Sequence, residues 1–190
     1  MQGLRAYNYI MNTPDLITIL GNISQSLAPV QHLITGGAYI LGVLFFITAM
    51  NKFLKIGDHR AQSSSREKMF SPVMYLLFGA ILLYLPSALN VAANTAFGVG
   101  NVLTYTNYNP NNVYSSMGLV IRTAGVLWFV RGCVLVAHAS EPGTQHGPKG
   151  FAFIIAGILS MNFDNTIAIL NYIMGNIAAW TIALKNSQGY

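Results

Sequence analysis

The sequence predicts an all-α integral membrane protein: four transmembrane helices in two consecutive hairpins, preceded by an N-terminal interfacial amphipathic helix. Three observations lead there. Of 190 residues, 53% are hydrophobic and only 8% are Asp, Glu, Lys or Arg, about a third of the ~25% carried by an ordinary water-facing domain. No charge falls in 16–51, 69–121 or 165–184, runs of 36, 53 and 20 residues, and a bilayer crossing needs only about 20 apolar residues. The charges that remain gather between the apolar runs. The same arithmetic excludes a disordered chain, a disulfide-stapled secreted domain (there is one Cys) and a soluble nucleic-acid binder. The net charge of +5 does not indicate sequence-specific nucleic acid binding, because its basic residues stand where membrane topology places them.

The segment 1–29 opens the chain. Thr13-Pro14-Asp15 is a helix-start signal, and Leu16, Ile19, Leu20, Ile23 and Leu27 repeat at helical spacing. That predicts an amphipathic helix too short to span, lying in the membrane interface. Arg5 ahead of LITIL invites comparison with a signal peptide, but the apolar run is short and lacks a clear small-residue cleavage site, so the segment is expected to be retained.

Residues 30–97 form the first hairpin. Its first span is Val30 to Met50, and its second runs from Phe70 to about Val91, opening on Ser71-Pro72 and kinked at Pro86. Between them Lys52, Lys55, Arg60, Arg66 and Lys68 face Asp58 and Glu67, a net +3. The positive-inside rule assigns this loop to the cytoplasm. The segment 98–116 carries no charge, lies on the opposite side, and offers Tyr105, Tyr108 and Tyr114 to an interfacial belt.

Residues 117–190 form the second hairpin, with spans at Met117–Ala137 and Phe151 to about Leu170. The apolar run continues to Leu184, making 151–184 roughly 50 Å of helix. Such a helix tilts, breaks near Asn162–Asn165, or projects beyond the membrane. The halves also look alike. GVLFFI at Gly42–Ile47 parallels GVLWFV at Gly125–Val130, and FGAIL at Phe78–Leu82 parallels IAGIL at Ile155–Leu159. Apolar segments also match by chance, so duplication and coincidence both stand on sequence alone; a true duplication would be a parallel repeat.

Three charges fall inside spans: Arg122, Arg131 and Asp164. Burial there is costly and calls for a partner or water. Arg122 lies roughly 7–8 Å below the outer boundary, and Asp164 about 9 Å from it if the last span ends near Leu170. Similar depth and opposite sign favour an intramembrane ion pair. The alternative is that Arg122 snorkels outward and Asp164 caps a broken helix. Arg131, about 180° round the helix, joins the cytoplasmic-side basic set. Small residues recur every fourth position at Ala88, Ala92, Ala96 and Gly100, and again at Asn171, Gly175, Ala179 and Ala183. Such stripes let helix backbones approach in lipid, within the chain or between subunits. Asn90, Asn94, Asn162 and Asn165 are candidates for interhelical hydrogen bonding or for lining a wet cavity.

No phosphate-binding glycine loop, zinc-protease helix or nucleophile elbow is present, and GPKG at 147–150 lacks the spacing of a phosphate loop. His32, His59, His138 and His146 do not stand at metal-ligand spacing, and Cys133 has no nearby Cys. No enzyme, cofactor or metal is expected.

The phrase GPKGFAFIIAGILSMNFDNT, preceded by GVLWFVRG, resembles the small inner-membrane proteins of type IVB (Dot/Icm) secretion and conjugation systems. These are the IcmC/DotE proteins and TraQ, with DotV and parts of DotA as near alternatives. The likeness covers most of 30–170. It is specific in Gly157, Leu159 and Asn162 and in Phe129–Gly132, and weak in the first 30 residues. It implies a multi-pass protein of the bacterial inner membrane, in which the positive-inside orientation puts both termini in the periplasm. The implied role is that of a structural subunit contributing to the channel or platform that exports effector proteins or DNA. Its partners would be other secretion-system membrane subunits and membrane lipids, in a homo- or hetero-oligomer. A pilin-like role is a variant of this reading. The rival is a small transporter or ion channel using Arg122 and Asp164.

Overall fold

The computed structural model describes residues 16–60, 69–98 and 113–187. These form six helices: α1 (Leu16–Arg60), α2 (Phe70–Leu83), α3 (Leu85–Phe97), α4 (Val113–Ala139), α5 (Gly147–Met161) and α6 (Phe163–Ser187). No strand occurs among the described residues. Three helical stretches are long and apolar enough to cross a membrane: Pro29–Asp58, Tyr114–Ala139 and Phe163–Asn186. A fourth crossing results if α2 and α3 count as one broken span.

α1 is one helix of 45 residues with Pro29 inside it. The sequence separates an interfacial helix from a first span, and the structure joins them. Proline removes one backbone hydrogen bond, a loss that a long helix absorbs as a local distortion. At its other end α1 runs on to Arg60, so Lys52, Lys55 and Arg60 stand on a helix and not in a loop. Thr13, Pro14, Arg66 and Lys68 lie outside the described residues, as do Tyr105 and Tyr108.

The expected second span is not a single rod. α2 and α3 meet at 97°, with Tyr84 between them at φ −105°, ψ 37° and Pro86 in the first turn of α3. Proline has no N–H and its ring crowds the carbonyl four residues back, so the helix ends and restarts in a new direction. α3 then buries Leu85, Leu89 and Ala93, one face at four-residue spacing.

The apolar run expected to hold the last span is also broken, here without a proline. Asn162 sits at φ −100°, ψ 45° between α5 and α6, nearly the conformation of Tyr84. Of the three outcomes expected for 151–184, the break is found, at Asn162. α5 has 15 residues, about 22 Å, and α6 leaves the bundle.

The two hairpins are built on one pattern. A β-carbon on Gly42 would stand 2.9 Å from the Gly79 carbonyl oxygen and 2.9 Å from the Leu83 nitrogen. A β-carbon on Gly125 would stand 2.9 Å from the Gly157 oxygen and 2.9 Å from the Met161 nitrogen. In both hairpins the break falls five residues after the second glycine, at Tyr84 and at Asn162. This pairs Gly79 with Gly157, one residue away from the alignment of FGAIL with IAGIL, which sets Gly79 against Ala156. Seven residues further down the seam the second hairpin repeats the contact with Gly132 and Gly150, and the first hairpin has Ala49 and Pro72 in those places.

The hairpins lie side by side with α1 and α4 parallel. Near one end Gln31 Nε2 donates to Thr123 Oγ1 at 2.8 Å, and at the other Lys52 Nζ donates to Glu141 Oε1 at 3.0 Å. On α1 these residues are about 31 Å apart, close to the thickness of a hydrocarbon core. Phe45, Phe78, Leu82, Phe129, Cys133 and Met161 fill the space between.

Candidate functional site

Two charged pairs mark opposite ends of the bundle. The first joins Arg122 on α4 to Asp164 in the first turn of α6. The break at Asn162 is what brings Asp164 there. It starts a new helix whose N-terminal dipole favours a carboxylate. Arg122 Nη2 donates to Asp164 Oδ2, with the Arg side chain 24% and the Asp side chain 55% exposed. Arg122 Nε is buried with no hydrogen-bond partner, so the guanidinium engages through one edge. The rings of Tyr114 and Phe163 stand 5.6 Å apart beside this junction and help seat the start of α6 on α4. Asn162 itself is buried and turns its Nδ2 back onto the Ile158 oxygen at 3.0 Å rather than bridging helices.

The second pair was not foreseen from sequence, where Glu141 reads only as a loop charge. Glu141 lies in the turn after α4. Its Oε1 accepts from Lys52 Nζ at 3.0 Å and from the Tyr75 hydroxyl at 2.7 Å. Lys52 also stands 4.9 Å over the Tyr75 ring, a cation–π placement. The Tyr75 hydrogen bond first, then that of Lys52, hold the Glu141 carboxyl below the usual glutamate range. Phe45, Tyr75 and His138 stack edge to face beneath, with centroids 5.2 to 6.0 Å apart. His138 Nδ1–H donates to the Val134 oxygen at 2.8 Å. One carboxylate from the second hairpin thus receives two donors from the first.

Above this knot opens a cleft of about 620 Å³ between the end of α1, the start of α2 and the turn after α4. Lys52, Lys55, Ser71, Ser140 and Glu141 are among its polar lining, with Thr48 and Asn51, and Phe70 and Pro72 are among its apolar walls. Its size is that of a small-molecule site. The only sequence signals for it were Lys52 and Lys55, counted as topology markers.

The other expected residues scatter. Arg131 is exposed on α4, with its guanidinium 5.1 Å from the Phe153 ring. The Arg60 side chain and Gly100 lie outside what is described. Ala88 and Ala92 are half-buried and Ala96 is exposed, because α3 turns the neighbouring row of Leu85, Leu89 and Ala93 inward. Gly175, Ala179 and Ala183 are all exposed on α6, and a β-carbon on Gly175 would meet nothing within 4 Å. The close backbone approaches within the chain are made instead by Gly42, Gly79, Gly125, Gly132, Gly150 and Gly157. Their signal was legible as glycines seven apart, at 125 and 132 and at 150 and 157. Among the described residues no three His, Cys, Asp or Glu side chains converge as a metal site would require.

Compared with known protein families, curated proteins and solved structures, the chain matches none.

Proposed function

We propose that this chain is a structural subunit of a bacterial inner-membrane assembly, namely a type IVB secretion or conjugation apparatus. In this reading it contributes to the channel or platform and performs no catalysis. The four crossings would be α1, α2 with α3, α4, and α5 with the start of α6, with both termini in the periplasm. The observation that carries the proposal is α6. Its apolar window Phe163–Asn186 has 0% of its residues buried inside the chain. Asn171, Gly175, Ala179 and Ala183 nevertheless repeat along it at helix-packing spacing. Ile177 and Trp180 are exposed beyond the proposed crossing, and the small residues along one stripe favour another helix as what covers them. The resemblance in GPKGFAFIIAGILSMNFDNT supports the choice of machine.

Gentle solubilisation of native membranes followed by affinity isolation and native-mass measurement tests this. The expected result is a complex of defined mass that contains membrane subunits of the secretion system, and no transport by the purified chain in liposomes. A lone species that conducts ions or solute in liposomes, and loses that activity in Asp164→Asn, overturns the proposal in favour of a transporter.

A further inference from the structure

We propose that the cleft between the two hairpins binds the phosphate headgroup of an anionic phospholipid. This goes beyond the assembly role and does not depend on it. The cleft stands at the polar end of the candidate span Pro29–Asp58, which in a bilayer crossing by this helix is the level of the lipid headgroups. Its charges are Lys52, Lys55 and Glu141. Glu141 is spent on Lys52 and the Tyr75 hydroxyl. Lys55, one turn on, is exposed and has no carboxylate partner among the described residues. The cleft therefore holds a net positive charge with one ammonium free to take an anion.

Three further features fit a phosphate, and the last favours one that carries acyl chains over a free ion. Ser71 places a hydroxyl in the wall, 3.4 Å from Ser140 Oγ, which donates to the Ala137 oxygen at 2.6 Å. The start of α2 has no acidic residue in its first turn, so the N-terminal end of its dipole adds positive potential. In the cleft wall Phe70 is an exposed apolar side chain, a surface for acyl chains beside the polar lining. Basic pockets between membrane helices recognise lipid headgroups through this combination.

The test uses the full chain reconstituted in nanodiscs of phosphatidylcholine with phosphatidylglycerol, extracted into mild detergent, with retained lipids counted by native mass spectrometry. The expected result is selective retention of phosphatidylglycerol, weakened about fivefold in Lys55→Gln. Retention should persist in Lys55→Arg and in Lys185→Gln, which lies far along α6. Since Lys55 is exposed, Lys55→Gln should unfold at the wild-type temperature. Equal retention of phosphatidylcholine, unchanged retention in Lys55→Gln, or equal loss in Lys55→Arg and Lys185→Gln overturns the proposal. Displacement by millimolar inorganic phosphate overturns it too, by making the cleft a site for the free ion.

Discussion

Gly125 and Gly157 cross so closely that a β-carbon on either would lie within 2.8 to 2.9 Å of the other's carbonyl oxygen. At the equivalent crossing of the first hairpin, a β-carbon on Gly79 would lie 3.2 Å from the Gly42 oxygen and 3.2 Å from the Phe45 β-carbon. Gly42 and Gly125 are equally tight, with 2.9 Å to a carbonyl oxygen and to a backbone nitrogen of the facing helix, so the hairpins differ in tolerance only at the second glycine of each pair. A β-carbon on Gly157 would stand 2.8 Å from backbone atoms of Gly125 and Phe129, which only a helix movement can relieve, and Gly79 has a few tenths of an ångström more.

The first prediction follows from that difference. Gly157→Ala should destabilise the bundle by about 1–3 kcal/mol, the usual range for overpacking, and Gly79→Ala by clearly less. Unfolding in a detergent titration measures both. Equal effects would show that Gly157 has no less room than Gly79.

The pair at the other end of α4 predicts a pH dependence. The folded-state pKa of Glu141 is lowered, so its contribution is present above the unfolded value of about 4.3. It is lost as pH falls through the lower folded value. Wild-type stability should therefore drop more steeply below about pH 4.3 than that of Glu141→Gln. Parallel curves in thermal melts across this range would remove the Tyr75–Glu141–Lys52 knot as the cause.

Arg122 and Asp164 should behave as a coupled pair. Asp164→Asn leaves the partly buried guanidinium without its carboxylate, and Arg122→Gln removes the partner of a carboxylate that is half exposed. The first should cost more than the second, and the double variant less than the two together, with a coupling of order 0.5–3 kcal/mol. A double-mutant cycle on unfolding free energies reads this directly, and strict additivity would leave the contact without energetic weight.

The proposed four crossings place the loop after α1 and the loop after α3 on opposite sides of the membrane. Single cysteines at 63 and 110, in a Cys133→Ser background, should label from opposite faces of sealed vesicles. Labelling from one face would mean that α2 and α3, bent by 97°, enter and leave by the same side.

Much of this architecture was legible in residues read one at a time. Charge-free runs located the apolar helices, because hydropathy is a sum over a short window and does not depend on what packs against it. The length of 151–184, more than one hydrocarbon thickness, called for a tilt, a break near Asn162–Asn165 or a projection without choosing among them, and the structure has the break. The likeness of Arg122 and Asp164 in depth and their opposite sign came from counting along helices.

Tertiary structure alone decided the rest. It turned the expected kink at Pro86 into a 97° corner, carried α1 unbroken through Pro29, and moved the internal register by one residue. It also brought Glu141 to Lys52 and Tyr75, across 89 and 66 positions of sequence. One residue on a helix is about 100° of rotation. Which face meets which neighbour is therefore settled by how closely two backbones pack, a quantity that composition and spacing along one strand of sequence do not contain.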